Sequence, residues 1–296
     1  MKKAALSLII FALFLCGCKE AETETTVSSV SDIQQEEPES VEVREEEKTP
    51  DEPKAVTVED LEEAKKYTIV DTYSDDLDSD YFFYGNFGES DAELFGRTDY
   101  EGYYVRIGDD IYPVDYYIGR NEPSYMIAAD FDDDGNTEYG FDSNDGWGTG
   151  FYTEALIIVD PDEEKPICIF NRDNIVSEDN NLFEHVKTEV NESDGTLTYW
   201  LEDEGKELYK GSICVNTEWR HITDESTCTG LAFGDIFTIE YEENKWTFIA
   251  DGGTVWSDTA CPDYEKCVKM SATLTYKDGT ISYEDVSLCS KSDEKE

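Results

Sequence analysis

Phe237-Thr-Ile-Glu-Tyr-Glu-Glu-Asn-Lys-Trp-Thr-Phe-Ile249 carries the pattern that decides the fold. Phe237, Ile239 and Tyr241 alternate with Thr238 and Glu240, a period of two that turns one face inward and the other to water. The run stops at Glu242-Glu-Asn244 and resumes at Lys245-Trp-Thr-Phe-Ile249. Two such runs around a short polar break predict an antiparallel hairpin. Thr273-Leu-Thr-Tyr276 and Thr280-Ile-Ser-Tyr283 repeat the arrangement around Lys277-Asp278-Gly279. Asp-Gly is a strong hairpin signal, because both turn residues must adopt positive φ.

On either side of these hairpins, short apolar and aromatic runs recur between turn signals along most of the chain. Strands are expected over 81–84, 103–107, 112–118, 125–129, 154–159 and 166–170. They continue over 183–190, 196–201, 208–215, 236–241, 246–250, 271–276 and 280–288. Helical signals are few. Thr57 with Asp60 three residues on reads as a capping box, predicting a short helix that ends at Lys65-Lys66. A first strand is expected over 67–70, and Ser90-Asp-Ala-Glu-Leu-Phe95 hints at a second helix. No long amphipathic helix separates the strands, so parallel α/β units are disfavoured. The expected fold is mainly β, an antiparallel sandwich or meander with few short helices, over 57–290. The polar stretch 171–181 marks a weak boundary between subregions 57–175 and 176–290, and 291–296 is an acidic tail.

The chain has 296 residues and a formal charge of -48, from 23 basic and 71 acidic residues. Such a charge repels nucleic acid and anionic headgroups at long range and favours divalent cations. The only histidines, His185 and His221, form no HExxH pair, which argues against a paired-histidine zinc site. No GxSxG or Walker loop is present.

The N-terminus reads as an export signal. A basic Met1-Lys-Lys3 precedes the apolar run Ala4–Leu15. That run falls short of the about 20 residues needed to span a bilayer, and it fits a signal-peptide core. It ends in Leu15-Cys16-Gly17-Cys18, which resembles the lipobox of bacterial lipoproteins. The resemblance implies removal of residues 1–17 as a signal peptide and acylation of Cys18. It places the protein in the bacterial cell envelope, lipid-anchored and facing outside the cytoplasm. Acyl chains anchor at about 0.8 kcal/mol per buried methylene. Residues 18–56 contain no aromatic side chain and are rich in Glu, Thr, Ser, Val and Pro. They cannot bury enough apolar surface to offset ordering entropy, and they read as a disordered acidic linker.

An exported chain favours disulfides. Six cysteines follow the lipobox: Cys168, Cys214, Cys228, Cys261, Cys267 and Cys289. The short loop Cys261-Pro-Asp-Tyr-Glu-Lys-Cys267 is the expected local disulfide, and the remaining pairings stay open.

One stretch speaks of chemistry. Asp130-Phe-Asp-Asp-Asp-Gly-Asn-Thr-Glu138 lies between the apolar runs Tyr125–Ala129 and Tyr139-Gly-Phe141. Calcium takes about 6–8 oxygen ligands, so it requires several carboxylates and carbonyls within one tight turn. Asp130, Asp132 and Asp134 alternate, Gly135 permits the bend, Asn136 offers its carbonyl, and Glu138 closes the ring. The pattern resembles the DxDxDGxxD/E loops of FG-GAP and related repeats, and more distantly an EF-hand loop. It departs from the EF-hand because its flanks read as strands and its twelfth position is Phe141. The resemblance implies one structural calcium ion on Asp130, Asp132, Asp134, Asn136 and Glu138. Asp142 is a candidate further ligand. The glycine-flanked Trp147 is a candidate ligand contact, and the calcium loop is expected to order Gly146 to Gly150. The function expected is a non-enzymatic, calcium-stabilised β module that binds a glycan or an envelope protein. A carboxylate-based envelope hydrolase of the glycoside hydrolase kind is the alternative.

Overall fold

The computed structural model describes residues 55–73, 77–117, 121–148, 151–177, 180–203, 205–215, 227–257 and 262–290. The signal segment, Cys18, the acidic linker up to residue 54, Cys261 and the 291–296 tail therefore lie outside the described residues, and Lys54–Glu296 forms one compact unit. The unit is mainly β, with largely antiparallel sheets and, among the described residues, a single α-helix, as the alternation predicts.

The helix, α1 (Val58–Ala64), begins at the expected capping box. Thr57 Oγ1 accepts from Asp60 N at 3.2 Å, and Asp60 Oδ2 accepts from Thr57 N at 3.0 Å. Behind it stands a four-stranded antiparallel meander of β1 (Tyr81–Asn86), β2 (Glu93–Arg97), β3 (Tyr103–Ile107) and β4 (Asp110–Val114). Two readings are corrected here. Residues 67–70 form no strand and lead instead into a 3-10 turn over Ile69–Tyr73, because Thr68 donates its N–H and hydroxyl to Asp71 and bends the chain. Ser90–Phe95 is no helix. Its second half is β2, whose residues serve two layers: Phe95 packs with Leu61 and Ala64 of α1, and Leu94 packs with Val105 and Phe141 on the other side.

Next come β5 (Met126–Ala129), β6 (Glu138–Gly148), β7 (Phe151–Val159) and β8 (Ile167–Phe170). In β7, Ala155-Leu-Ile-Ile-Val159 is apolar at every position, the mark of a strand covered on both faces. Ile157 and Val159 join the core shared with β1–β4. Leu156 and Ile158 join the larger core on the opposite face. Short β9 (Val176–Ser177) and β10 (Asn180–Asn181) then pair with each other. β11 (Val186–Asn191), β12 (Thr196–Asp203) and β13 (Lys206–Cys214) make a three-stranded sheet.

The chain closes with four long strands, β14 (Cys228–Glu242), β15 (Lys245–Trp256), β16 (Asp263–Lys277) and β17 (Thr280–Ser290). Both expected hairpins are present, with Glu242 opposite Lys245 and Lys277 opposite Thr280. Each turn takes two residues at positive φ: Glu243 and Asn244 at 51° and 63°, Asp278 and Gly279 at 49° and 72°.

These four strands continue into the β5–β7 sheet in the order β17-β16-β15-β14-β7-β6-β5, so one sheet joins strands from both sides of residues 171–181. The junction is a fork. β14 pairs with β7 in parallel only at Ile236 with Tyr152 and Phe237 with Thr153. From Leu156 onward β7 pairs with β8 instead. At the crotch Glu154 substitutes for the missing strand. Its Oε2 accepts from Ile239 N at 2.7 Å and its Oε1 from Tyr152 Oη at 2.5 Å. No helix among the described residues is long and apolar enough to cross a membrane.

Candidate metal centre and the adjoining cleft

The acidic loop joins β5 to β6, and Ala129 stands opposite Glu138 where it closes. Its backbone folds around its own carboxylates. Asp130 accepts from Asp134 N at 3.0 Å and from Gly135 N at 2.9 Å. Asp132 accepts from Asp134 N at 3.2 Å, and Asp134 accepts from Asn136 N at 2.7 Å. Asp133 at φ 63° and Gly135 at φ 95° supply the reversal that lets alternate carboxylates share one side. One carboxylate oxygen from each of Asp130, Asp132, Asp134 and Glu138 lies within 4.8 Å of the others.

Glu138 sets the character of this group. It is the first residue of β6 and only 1% exposed. Its Oε2 accepts from Phe131 N at 2.5 Å. Burial pushes its carboxyl up to about 7, and the charges of Asp160, Asp132 and Asp130 push the same way. A desolvated carboxyl beside other carboxylates stays protonated or takes a cation. The residues fit a hard divalent ion by donor type, since every side-chain donor in the group is a carboxylate oxygen. Asn136 enters the loop through its own donors, with Nδ2 on Asp134 Oδ2 at 3.1 Å.

Asp142 does not join the four. Its oxygens accept from Ser124 N at 3.0 Å and Tyr125 N at 2.6 Å, which ties β6 to the segment entering β5. Trp147 stands opposite Tyr152 near the far end of the β6–β7 hairpin. A strand rises about 3.3 Å per residue, which puts Trp147 roughly 30 Å along β6 from Glu138. The acidic loop therefore does not order Gly146 to Gly148, because the two sit at opposite ends of one strand. The Trp147 and Cys267 side chains, like Cys261, fall outside the described residues. Cys168 and Cys228 are free thiols, each with its pKa raised by burial.

A cleft that residue patterns did not announce borders the loop. It holds about 530 Å3, with Leu156 and Ile158 of β7 in its lining. Phe131, Tyr241 and Trp246 also line it, in mutual contact, with Tyr241 and Trp246 ring centres 4.7 Å apart and Phe131 and Trp246 6.1 Å apart. The visible signal was the pairing of Tyr241 with Trp246 across the β14–β15 turn; the approach of Phe131 and β7 was not visible. Compared with known proteins, the chain matches no family model, no curated protein and no solved structure.

Proposed function

We propose that this chain is a lipid-anchored protein of the bacterial cell envelope whose β-rich body is stabilised by calcium and works as a binding module. The convergence of four carboxylates within 4.8 Å, one of them buried, carries this reading. Asp130, Asp132, Asp134 and Glu138 supply carboxylate oxygens, and Asn136 adds its carbonyl. The ion closes the loop across the open end of β5 and β6, a structural role. Extracellular calcium modules bind at about 0.1–1 mM. At ten times such a Kd the ion adds about 1.4 kcal/mol of stability. The anchor is the acylated Cys18, and the partner is a glycan or an envelope protein.

Four other buried carboxylates support a binding module over a hydrolase. Glu93 pairs with Lys65 and Arg106. Asp142 and Glu154 hold backbone N–H groups, and Asp160 accepts from Tyr276 Oη at 2.9 Å. Each is engaged in joining one element to another.

Thermal melting with calcium and with chelator tests the reading. Calcium should raise Tm by several degrees beyond an ionic-strength-matched sodium control. The double change Asp132→Ala with Asp134→Ala should abolish that increment. A melting curve indifferent to chelation would sink the calcium assignment.

A further inference from the structure

Where β7 and β14 part, the cleft of about 530 Å3 falls within the about 300–1,000 Å3 usual for small-ligand sites. Its charged lining comes from three separate elements. Asp130 and Asp133 stand on the β5–β6 loop, Lys245 opens β15, and Glu284 stands on β17 opposite Thr273. Asp130 is held by Asp134 N and Gly135 N, whereas Asp133, Lys245 and Glu284 are exposed and have no ion-pair or hydrogen-bond partner among the described residues. Asp133 is also the loop aspartate outside the converging metal group. Between these charges the lining is apolar, from Leu156 and Ile158 to the ring of Trp246. Trp246 is 3% exposed, and its indole Nε1 is buried with no acceptor among the described residues.

This combination restricts the ligand. A polyanion meets three carboxylates and a chain of charge -48. A simple cation leaves Lys245 facing like charge, and a neutral hydrocarbon leaves three charges unused. A molecule with an ammonium, a carboxylate and an apolar body satisfies all of them. We propose that the cleft binds a short apolar peptide by both of its termini. The ammonium meets Asp133 and Glu284, the carboxylate meets Lys245, and the side chains lie over Leu156, Ile158 and the aromatic wall.

The test is calorimetric titration of the full-length chain with the dipeptide Phe-Leu, its N-acetyl form and its C-terminal amide, in calcium and in chelator. Phe-Leu should bind, and blocking either terminus should weaken binding about tenfold, as expected for loss of a charge-assisted contact. Asp133→Asn with Glu284→Gln should weaken Phe-Leu and leave the N-acetyl form unchanged. Lys245→Ala should weaken Phe-Leu and leave the amide unchanged. Absence of binding, equal affinity for all three forms, or variants that fail to discriminate them would overturn the proposal. The calcium reading fails separately: Asp132→Ala with Asp134→Ala reports on the ion, while discrimination between the blocked dipeptides reports on the cleft.

Discussion

At the scale of single residues, Glu138 couples the loop to pH. Its ordinary carboxyl value is 4.5, and in the metal-free fold it is pushed up to about 7. The folded state therefore holds the proton more tightly than the unfolded chain. The stability this contributes is fully present below 4.5 and is lost as pH rises through about 7. In chelator, urea midpoints should fall across that window, by an amount worth about 3 kcal/mol. Glu138→Gln should flatten the profile. Calcium should bind more weakly as pH falls through the same window, because proton and ion compete for one carboxyl. A metal-free chain with flat stability across the window would refute this account of Glu138.

At the scale of elements, α1 and the β7–β14 fork make separate predictions. Glu93 is 6% exposed and pairs with Lys65 at 2.5 Å and Arg106 at 3.0 Å, joining α1 to β2 and β3. Glu93→Ala removes the buried carboxylate of this cluster, leaves Lys65 and Arg106 with Glu62 alone, and should cost about 2 kcal/mol. Thr57→Ala, which removes only the cap, should cost about 1 kcal/mol. Equal urea midpoints for the two variants would contradict that ranking. Glu154→Ala leaves the Ile239 N–H unsatisfied and should cost about 2 kcal/mol in the same assay. The hairpins, the capping box and most strand positions were legible because each depends on neighbours within a few residues: Asp278-Gly279, Thr57 with Asp60, Phe237 with Ile239. β2 was misread because Glu93, Leu94 and Phe95 serve two faces at once and show no alternation. The fork was illegible for a different reason. It brings Thr153 beside Phe237 and Glu154 beside Ile239, and no local pattern announces such a pairing. The acidic group was legible because all four of its carboxylates lie within nine consecutive residues, Asp130 to Glu138. The cleft was not, because its lining comes from four distant segments.

At the scale of the whole molecule, charge is the dominant fact. Self-repulsion in a chain of charge -48 opposes compaction, and salt screens it. Raising sodium chloride should raise Tm in the absence of calcium, and calcium at matched ionic strength should add to that. A chain whose Tm falls with added salt would show that attractive pairs outweigh repulsion. The anchor is tested at this scale too. Cys18→Ser should move the protein from the detergent-extracted membrane fraction to the soluble fraction, and palmitate labelling should disappear with it.

The clasp on α1 has a mechanical side. The helix is the first element among the described residues, so if Cys18 is anchored as proposed, a pull between membrane and body would enter at α1. The ion pairs of Glu62 and Glu93 with Lys65 and Arg106 then meet the load first. Discrete side-chain pairs of this kind open one after another, whereas antiparallel ladders loaded along their length resist together. The helix would thus behave as a sacrificial latch, lengthening under tension while the sheets that hold the loop and the cleft keep their shape.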